Sequence, residues 1–143
     1  MNLAYPVTLT TYANGQVGAS FCDVPEAHTA GNTEAQTLDS AQDALVVALS
    51  CYLDNGRPLP TPSKAKRGQR LVMAPPRAAI KLAIYQAMRD QSMSQAQLAE
   101  RIGVDGKQVR RILNLDHESK LSQLESALAA LGLVASVEIS SAN

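Results

Sequence analysis

Five side chains within eight positions, Lys107, Gln108, Arg110, Arg111 and Asn114, have the chemistry of nucleic-acid recognition. Gln pairs with the edge of adenine, while Lys and Arg pair with guanine or clamp a phosphate. Val109, Ile112 and Leu113 are interleaved with them at helical spacing, so an inward apolar stripe leaves the polar set on the outer face of one helix. A second chemistry is open to Asp23, Asp39 and Asp43, since clustered carboxylates hold the paired metal ions of nucleases. Asp39 and Asp43 stand one helical turn apart, the spacing of a solvated helix surface, and no further acids fall where they would complete a site. His28 and His117 are not accompanied by a plausible nucleophile or acid partner and are read as surface or structural residues. Cys22 and Cys51 show neither CxxC spacing nor a histidine cluster, which points to buried free thiols. The expectation is a protein that is not an enzyme and holds neither cofactor nor metal.

The elements that must hold the outward set are two short helices meeting at a tight turn, a helix-turn-helix over residues 94–114. Ser94 caps the first helix with Gln97 as its capping-box partner, and Leu98, Ala99 and Ile102 form its inner face. Gly103 falls where the helix must stop and the backbone turns through positive φ, and Val104 then plugs the corner. Asp105 caps the second helix, whose N-terminal turn would lie nearest the bases in a major groove.

The order of the charges along the chain carries more than their sum. The 143 residues sum to zero net charge, with 13 cations and 13 acids, and 45% are apolar. Cut at Ser63, the first part holds six acids against Arg57 alone and the second twelve cations against seven acids. That division assigns an acidic part to a cationic protein partner and a basic part to the phosphate backbone. No apolar run approaches the length of roughly 20 residues that spans a bilayer. The start MNLAYPVTL has no basic region or apolar core of a secretion signal, so the expected location is the cytoplasm.

Alternating Leu3, Tyr5, Val7 and Leu9 predict a strand, Asn14-Gly15 a hairpin turn, and Val17, Ala19 and Phe21 the returning strand. A third strand is expected around 27–30 and a long helix from Thr33, with Leu38, Ala41, Leu45, Ala48, Leu49 and Tyr52 facing a sheet. Pro58, Pro60 and Pro62 impose an extended path, the basic 64–70 segment reads as a mobile loop or a linker, and a last strand is expected over 71–74. The fold class is therefore α+β: a β-β-β-α-β domain over 1–74, then an all-α domain over 75–143. In the second domain Ile80, Ile84, Ala87 and Met88 line a first helix, with Arg77, Lys81 and Arg89 exposed. Ser119 caps a last helix through Leu121, Leu124, Leu128 and Leu131, and residues 134–141 alternate as a strand that needs a partner, which a second subunit can supply.

The succession YPVTL (5–9), an Asn-Gly turn, FCDVPEA (21–27) and a helix containing AQDAL (41–45) resembles the HicB antitoxin family, and the second half resembles the phage-repressor-like helix-turn-helix carried by one branch of it. The resemblance implies a shortened ribonuclease-H-like first domain without required nuclease activity, which covers a small basic ribonuclease toxin, HicA. It implies a second domain that dimerises, or pairs further into tetramers, and represses the operon's own promoter on double-stranded DNA. Carried onto this sequence, it places Gln95 on a phosphate and Lys107, Gln108, Arg110 and Arg111 on the recognition helix. Gly106 departs from the polar or basic residue usual at that helix start. For the toxin it indicates a region in which Asp23 and Glu26 are the candidate contacts. A stand-alone repressor whose first domain senses a small molecule is the alternative, and it requires a concave apolar pocket within 1–74.

Overall fold

Asn14-Gly15 makes the turn on which the sheet depends. Gly15 takes φ 84°, the side-chain oxygen of Asn14 accepts from the Gln16 N–H at 3.0 Å, and the Tyr12 N–H closes the turn on the Gln16 carbonyl at 2.8 Å. The computed structural model describes residues 1–142. The turn joins β1 (Ala4–Thr11) to β2 (Val17–Phe21), and β3 (His28–Gly31), α1 (Glu34–Asp54) and β4 (Arg70–Met73) follow. The sheet order is β3-β2-β1-β4, with every neighbouring pair antiparallel.

Register sorts the sheet into two faces. Val7 lies opposite Phe21, Leu9 opposite Ala19 and Tyr5 opposite Val72, and the buried residues Ala41, Leu45, Ala48, Leu49 and Tyr52 of α1 supply the other side of that core. Thr37, fully buried, fixes the start of the helix to the sheet: its hydroxyl is 2.9 Å from the Val17 carbonyl. The opposite face carries the pairs Ala4–Met73 and Pro6–Leu71, and Leu71 and Met73 remain exposed.

Three anchors hold residues 57–63 against this unit. The Tyr5 hydroxyl donates to the Pro60 carbonyl at 2.8 Å, and Asp23 accepts from both the N–H and the hydroxyl of Ser63 at 2.9 Å. Glu26 accepts from the Tyr52 hydroxyl at 2.9 Å and from Arg57 at 3.2 Å, and the Arg57 guanidinium stacks 4.0 Å from the Tyr52 ring centroid. Prolines cannot hydrogen-bond through nitrogen, so a proline-rich strap is held by side chains instead.

The chain divides into two compact units, Met1–Ala79 and Ile80–Asn143, five residues beyond the expected boundary of 74/75 and inside the first turns of α2 (Pro76–Asp90). Helices α3 (Gln95–Ile102), α4 (Gly106–Leu113) and α5 (Leu121–Ala130) complete the second unit. Its core is Ile84, Met88, Leu98, Ala99, Val109, Ile112, Leu124, Leu128 and Leu131 with smaller neighbours.

Several expectations are corrected here. Residues 134–141 form no strand, because a strand needs an edge to bond to and the second unit offers none among the described residues. Ser119 does not cap α5: Lys120 takes that position without a side-chain bond, and the buried Ser119 hydroxyl lies 3.1 Å from Nδ1 of His117 and 3.4 Å from the Arg111 carbonyl. Leu121, one turn before the buried Leu124, points to solvent, and Val104 is 37% exposed and so does not fill the corner. Both cysteines are free but exposed, Cys51 lying one turn after the exposed Val47 on the outer side of α1.

Candidate functional site

The helical pair is built by its caps. The Ser94 hydroxyl accepts from the Gln97 N–H at 3.1 Å while the Gln97 side chain accepts from the Ser94 N–H at 2.9 Å, so two donors that a helix start leaves unpaired are satisfied together. Gly103 stops α3 at φ 72°, ψ 36°, a left-handed conformation that a Cβ disfavours. Asp105 then accepts from the Gln108 N–H at 2.9 Å and starts α4. Val109 and Ile112 are buried, and Leu113 packs against the same core, which turns the rest of α4 outward.

On that outer side Lys107, Arg110 and Arg111 are exposed and Gln108 is half-buried; Gln95, the first residue of α3, is exposed as well. None of the three cations pairs with a carboxylate among the described residues. Asn114 caps the end of α4, its N–H donating to the Arg111 carbonyl at 3.2 Å and its side-chain oxygen accepting from the Asp116 N–H at 3.0 Å. At the bare first position, Gly106, a Cβ would meet Nη1 of Arg110 at 3.9 Å, so Arg110 leans back along α4 toward its N-terminal turn.

Lys81 is the residue that sequence reasoning misplaced. Expected on the surface, it is fully buried, and its ammonium donates to the carbonyls of Arg111 at 2.9 Å, Asn114 at 2.6 Å and His117 at 2.8 Å. A cation at the carboxyl end of α4 gives a second, charged donor to three carbonyls that each already accept one backbone N–H, and it meets the negative end of the helix dipole. The spacing carried this signal: Lys81 precedes the buried Ile84, Tyr85 and Met88 by three, four and seven positions.

Charge is also distributed differently from the expectation. Met1–Ala79 contains the basic 64–70 segment and Arg77, so six cations balance its six acids; Ile80–Asn143 holds seven of each. Polarity is therefore local to faces rather than divided between units. Glu26 is held below the usual carboxylate range, first by its own backbone N–H and then by the Tyr52 hydroxyl, with Arg57 adding to both. Asp23 and Glu26, the expected partner contacts, both fasten the 57–63 strap, with Glu26 exposed and Asp23 half-buried.

Asp39 and Asp43 are exposed on α1, and the described residues contain no group of three or more His, Cys, Asp or Glu placed to hold a metal ion. A groove of about 410 Å³ in the first unit runs between residues 61–65 and Asn2, Ala4 and Leu71. No helix among the described residues is long and apolar enough to cross a membrane.

The sheet, its helix and the start of α2 coincide with a family model described as the HicB_like antitoxin of bacterial toxin-antitoxin systems, which matches residues 4–83. The chain belongs to the HicB-like antitoxin family. Antitoxin HicB of Escherichia coli K12 is 35% identical over 130 residues, 91% of this chain and 94% of that protein. Antitoxin HicB 1 of Photorhabdus laumondii is 36% identical over 131 residues, covering 92% and 83% of the two chains, and antitoxin HicB of Pseudomonas fluorescens is 37% identical over 119 residues, covering 82% of each. Alignments of 130 residues out of 143 take in most of the helical unit as well as the sheet.

Proposed function

We propose that this protein is a non-enzymatic cytoplasmic antitoxin that neutralises a small basic HicA-type ribonuclease through residues 1–74 and represses its own operon by binding DNA through residues 75–143. The observation that carries the DNA half is α4: a helix capped at both ends, packed through Val109 and Ile112, that presents Lys107, Arg110 and Arg111 unpaired and outward. Capping and packing fix the helix before DNA arrives, so little ordering entropy opposes docking. Gln95 at the start of α3 would hold a phosphate, Gln108 in the first turn of α4 supplies an amide to base edges, and Asn114 borders the same face from the far end of the helix. In a homodimer two such helices enter successive major grooves about 34 Å apart. Gly106 removes the usual side chain at the helix start, and the backward lean of Arg110 brings a guanidinium toward that place.

For the toxin half, family membership supports a toxin partner, and Asp23 and Glu26 are proposed as contacts on the edge formed with the 57–63 strap. With the first unit balanced in charge, recognition rests on these local carboxylates instead of an acidic domain. Two measurements test the halves separately. In gel shifts against the operator and a random duplex over a salt series, Arg111→Ala weakens both and flattens the salt dependence, whereas Gln108→Ala lowers the ratio between them. No duplex binding by the full chain at low salt refutes the DNA half. Co-expression with the adjacent toxin gene tests the other: failure of the full chain to restore growth refutes neutralisation, and rescue lost with Asp23→Asn supports the contact.

A further inference from the structure

The basic segment before β4, expected as a mobile loop or a linker, is instead tied to the sheet. Asp23 holds Ser63 ahead of it, and Arg70 behind it pairs with Val7 in the sheet and with Glu34 of α1. Between these anchors residues 66–69 close as a β-turn. The Gln69 N–H donates to the Lys66 carbonyl at 3.0 Å, and Gly68 takes φ 85° at the third position, as a type II turn requires. The Gln69 side chain locks the turn: its oxygen accepts from the Lys66 N–H at 2.8 Å and its amide donates to the Thr8 hydroxyl at 3.1 Å. Lys64, Lys66 and Arg67 are exposed, and none pairs with a carboxylate among the described residues.

Thr8 lies on the sheet face turned away from α1, in one row with Ser20 and His28. All three are exposed, and no strand residue on that face is acidic. Three cations on a fixed turn therefore stand beside hydroxyl and imidazole groups, with no strand carboxylate to repel an anion. We infer that this turn is a second phosphate-binding site, with which the first unit grips the backbone of the duplex that α4 reads. The inference rests on the proposed repressor function and adds a contact from the other unit. Lys, Arg and hydroxyl groups bind phosphate oxygens without reading bases. Residues 64–69 contain no aromatic ring on which an unpaired base could stack, which disfavours single-stranded RNA. A basic toxin would be repelled by the same cations. Alone, three cations hold a duplex weakly; tethered to a unit already on the DNA, they meet it at a raised effective concentration.

The test combines Lys64→Gln, Lys66→Gln and Arg67→Gln in the full chain, with circular dichroism to verify the fold. In gel shifts at low salt the variant should bind the operator and a random duplex at least about tenfold more weakly, with their ratio unchanged. Over a salt series, two lost phosphates make the slope of log K against log salt shallower by about 1.8. Ethylation interference locates the loss, because phosphates whose modification blocks the wild type should cease to matter in the variant. A wild-type slope in the folded variant overturns the site. A larger loss of affinity for single-stranded oligouridine than for duplex overturns the choice of ligand, and lost rescue from the toxin with DNA binding intact assigns the turn to a protein instead. A wild-type chain that ignores duplex DNA refutes the repressor reading and this site together; one that binds while the variant keeps its slope refutes the turn alone.

Discussion

Replacing Lys81 with Met keeps a four-atom stem inside the second unit and removes only the ammonium. Three carbonyls, from Arg111, Asn114 and His117, then lose a charged donor at 2.6–2.9 Å in a place where the side chain is fully shielded. Each carbonyl keeps a backbone donor, the N–H of Asn114, His117 or Ser119 respectively, so what is lost is a second, charge-assisted bond worth about 1.5–3 kcal/mol. The three bonds share one ammonium and are not additive, and the desolvation of that ammonium, no longer incurred, offsets part of their loss. A net loss of about 2–4 kcal/mol is expected. At roughly 0.05–0.15 kcal/mol per residue, that approaches the whole stability of a unit of this size. Urea unfolding followed by far-ultraviolet circular dichroism measures the loss, and amide exchange locates it: protection should fall first across residues 111–119. Lys81→Arg retains a charge but not the compact three-way donor, and should recover part of the stability. A loss under about 1 kcal/mol for Lys81→Met, or exchange that rises uniformly through the unit, refutes the role assigned to the ammonium.

Gly31→Ala places a Cβ 2.8 Å from the Thr37 hydroxyl oxygen and 3.1 Å from its backbone nitrogen, so either the Thr37–Val17 bond or the strand must shift. Thermal unfolding should show a loss of about 1–3 kcal/mol. Gly103→Ala meets nothing within 4 Å, so only the φ of 72° opposes it, and the expected cost is about 1–2 kcal/mol with operator affinity reduced no more than stability predicts. The strap should respond to pH at both extremes. Glu26 is depressed by its own N–H and then by Tyr52, so its contribution is present above the ordinary glutamate range and is lost as pH falls through the depressed value. Tyr52 is raised by burial and then by the bond to Glu26, and Tyr5 is pushed up to about 12 by burial and then by Asp23; both contributions are present below pH 10 and are lost only as alkali passes the raised values. Ultraviolet titration of tyrosinate in Tyr5→Phe and Tyr52→Phe checks this, and ionisation of either phenol at pH 10 contradicts it.

Local rules carried much of this protein. Turn chemistry at Asn14-Gly15 and Gly103, the caps Thr33, Ser94 and Asp105, and apolar periods of two and 3.6 are properties of neighbouring residues, so the element order through α5 and the outward face of α4 were legible in the sequence, whereas the period of two over 134–141 did not make a strand. Burial of a polar group is not local. Lys81 looked like a surface lysine because its partners are carbonyls 30, 33 and 36 residues away, and Asp23 and Glu26 looked like free acids because Ser63 and Arg57 return to them only in the folded unit. The boundary after Ala79 likewise depends on which strands pair: β4 brings the 64–70 cations into the first unit and cancels the charge division seen along the chain. Sequence determines what each segment prefers over a few residues, and tertiary structure decides which distant donor meets which acceptor, because that pairing exists only once the chain has closed on itself.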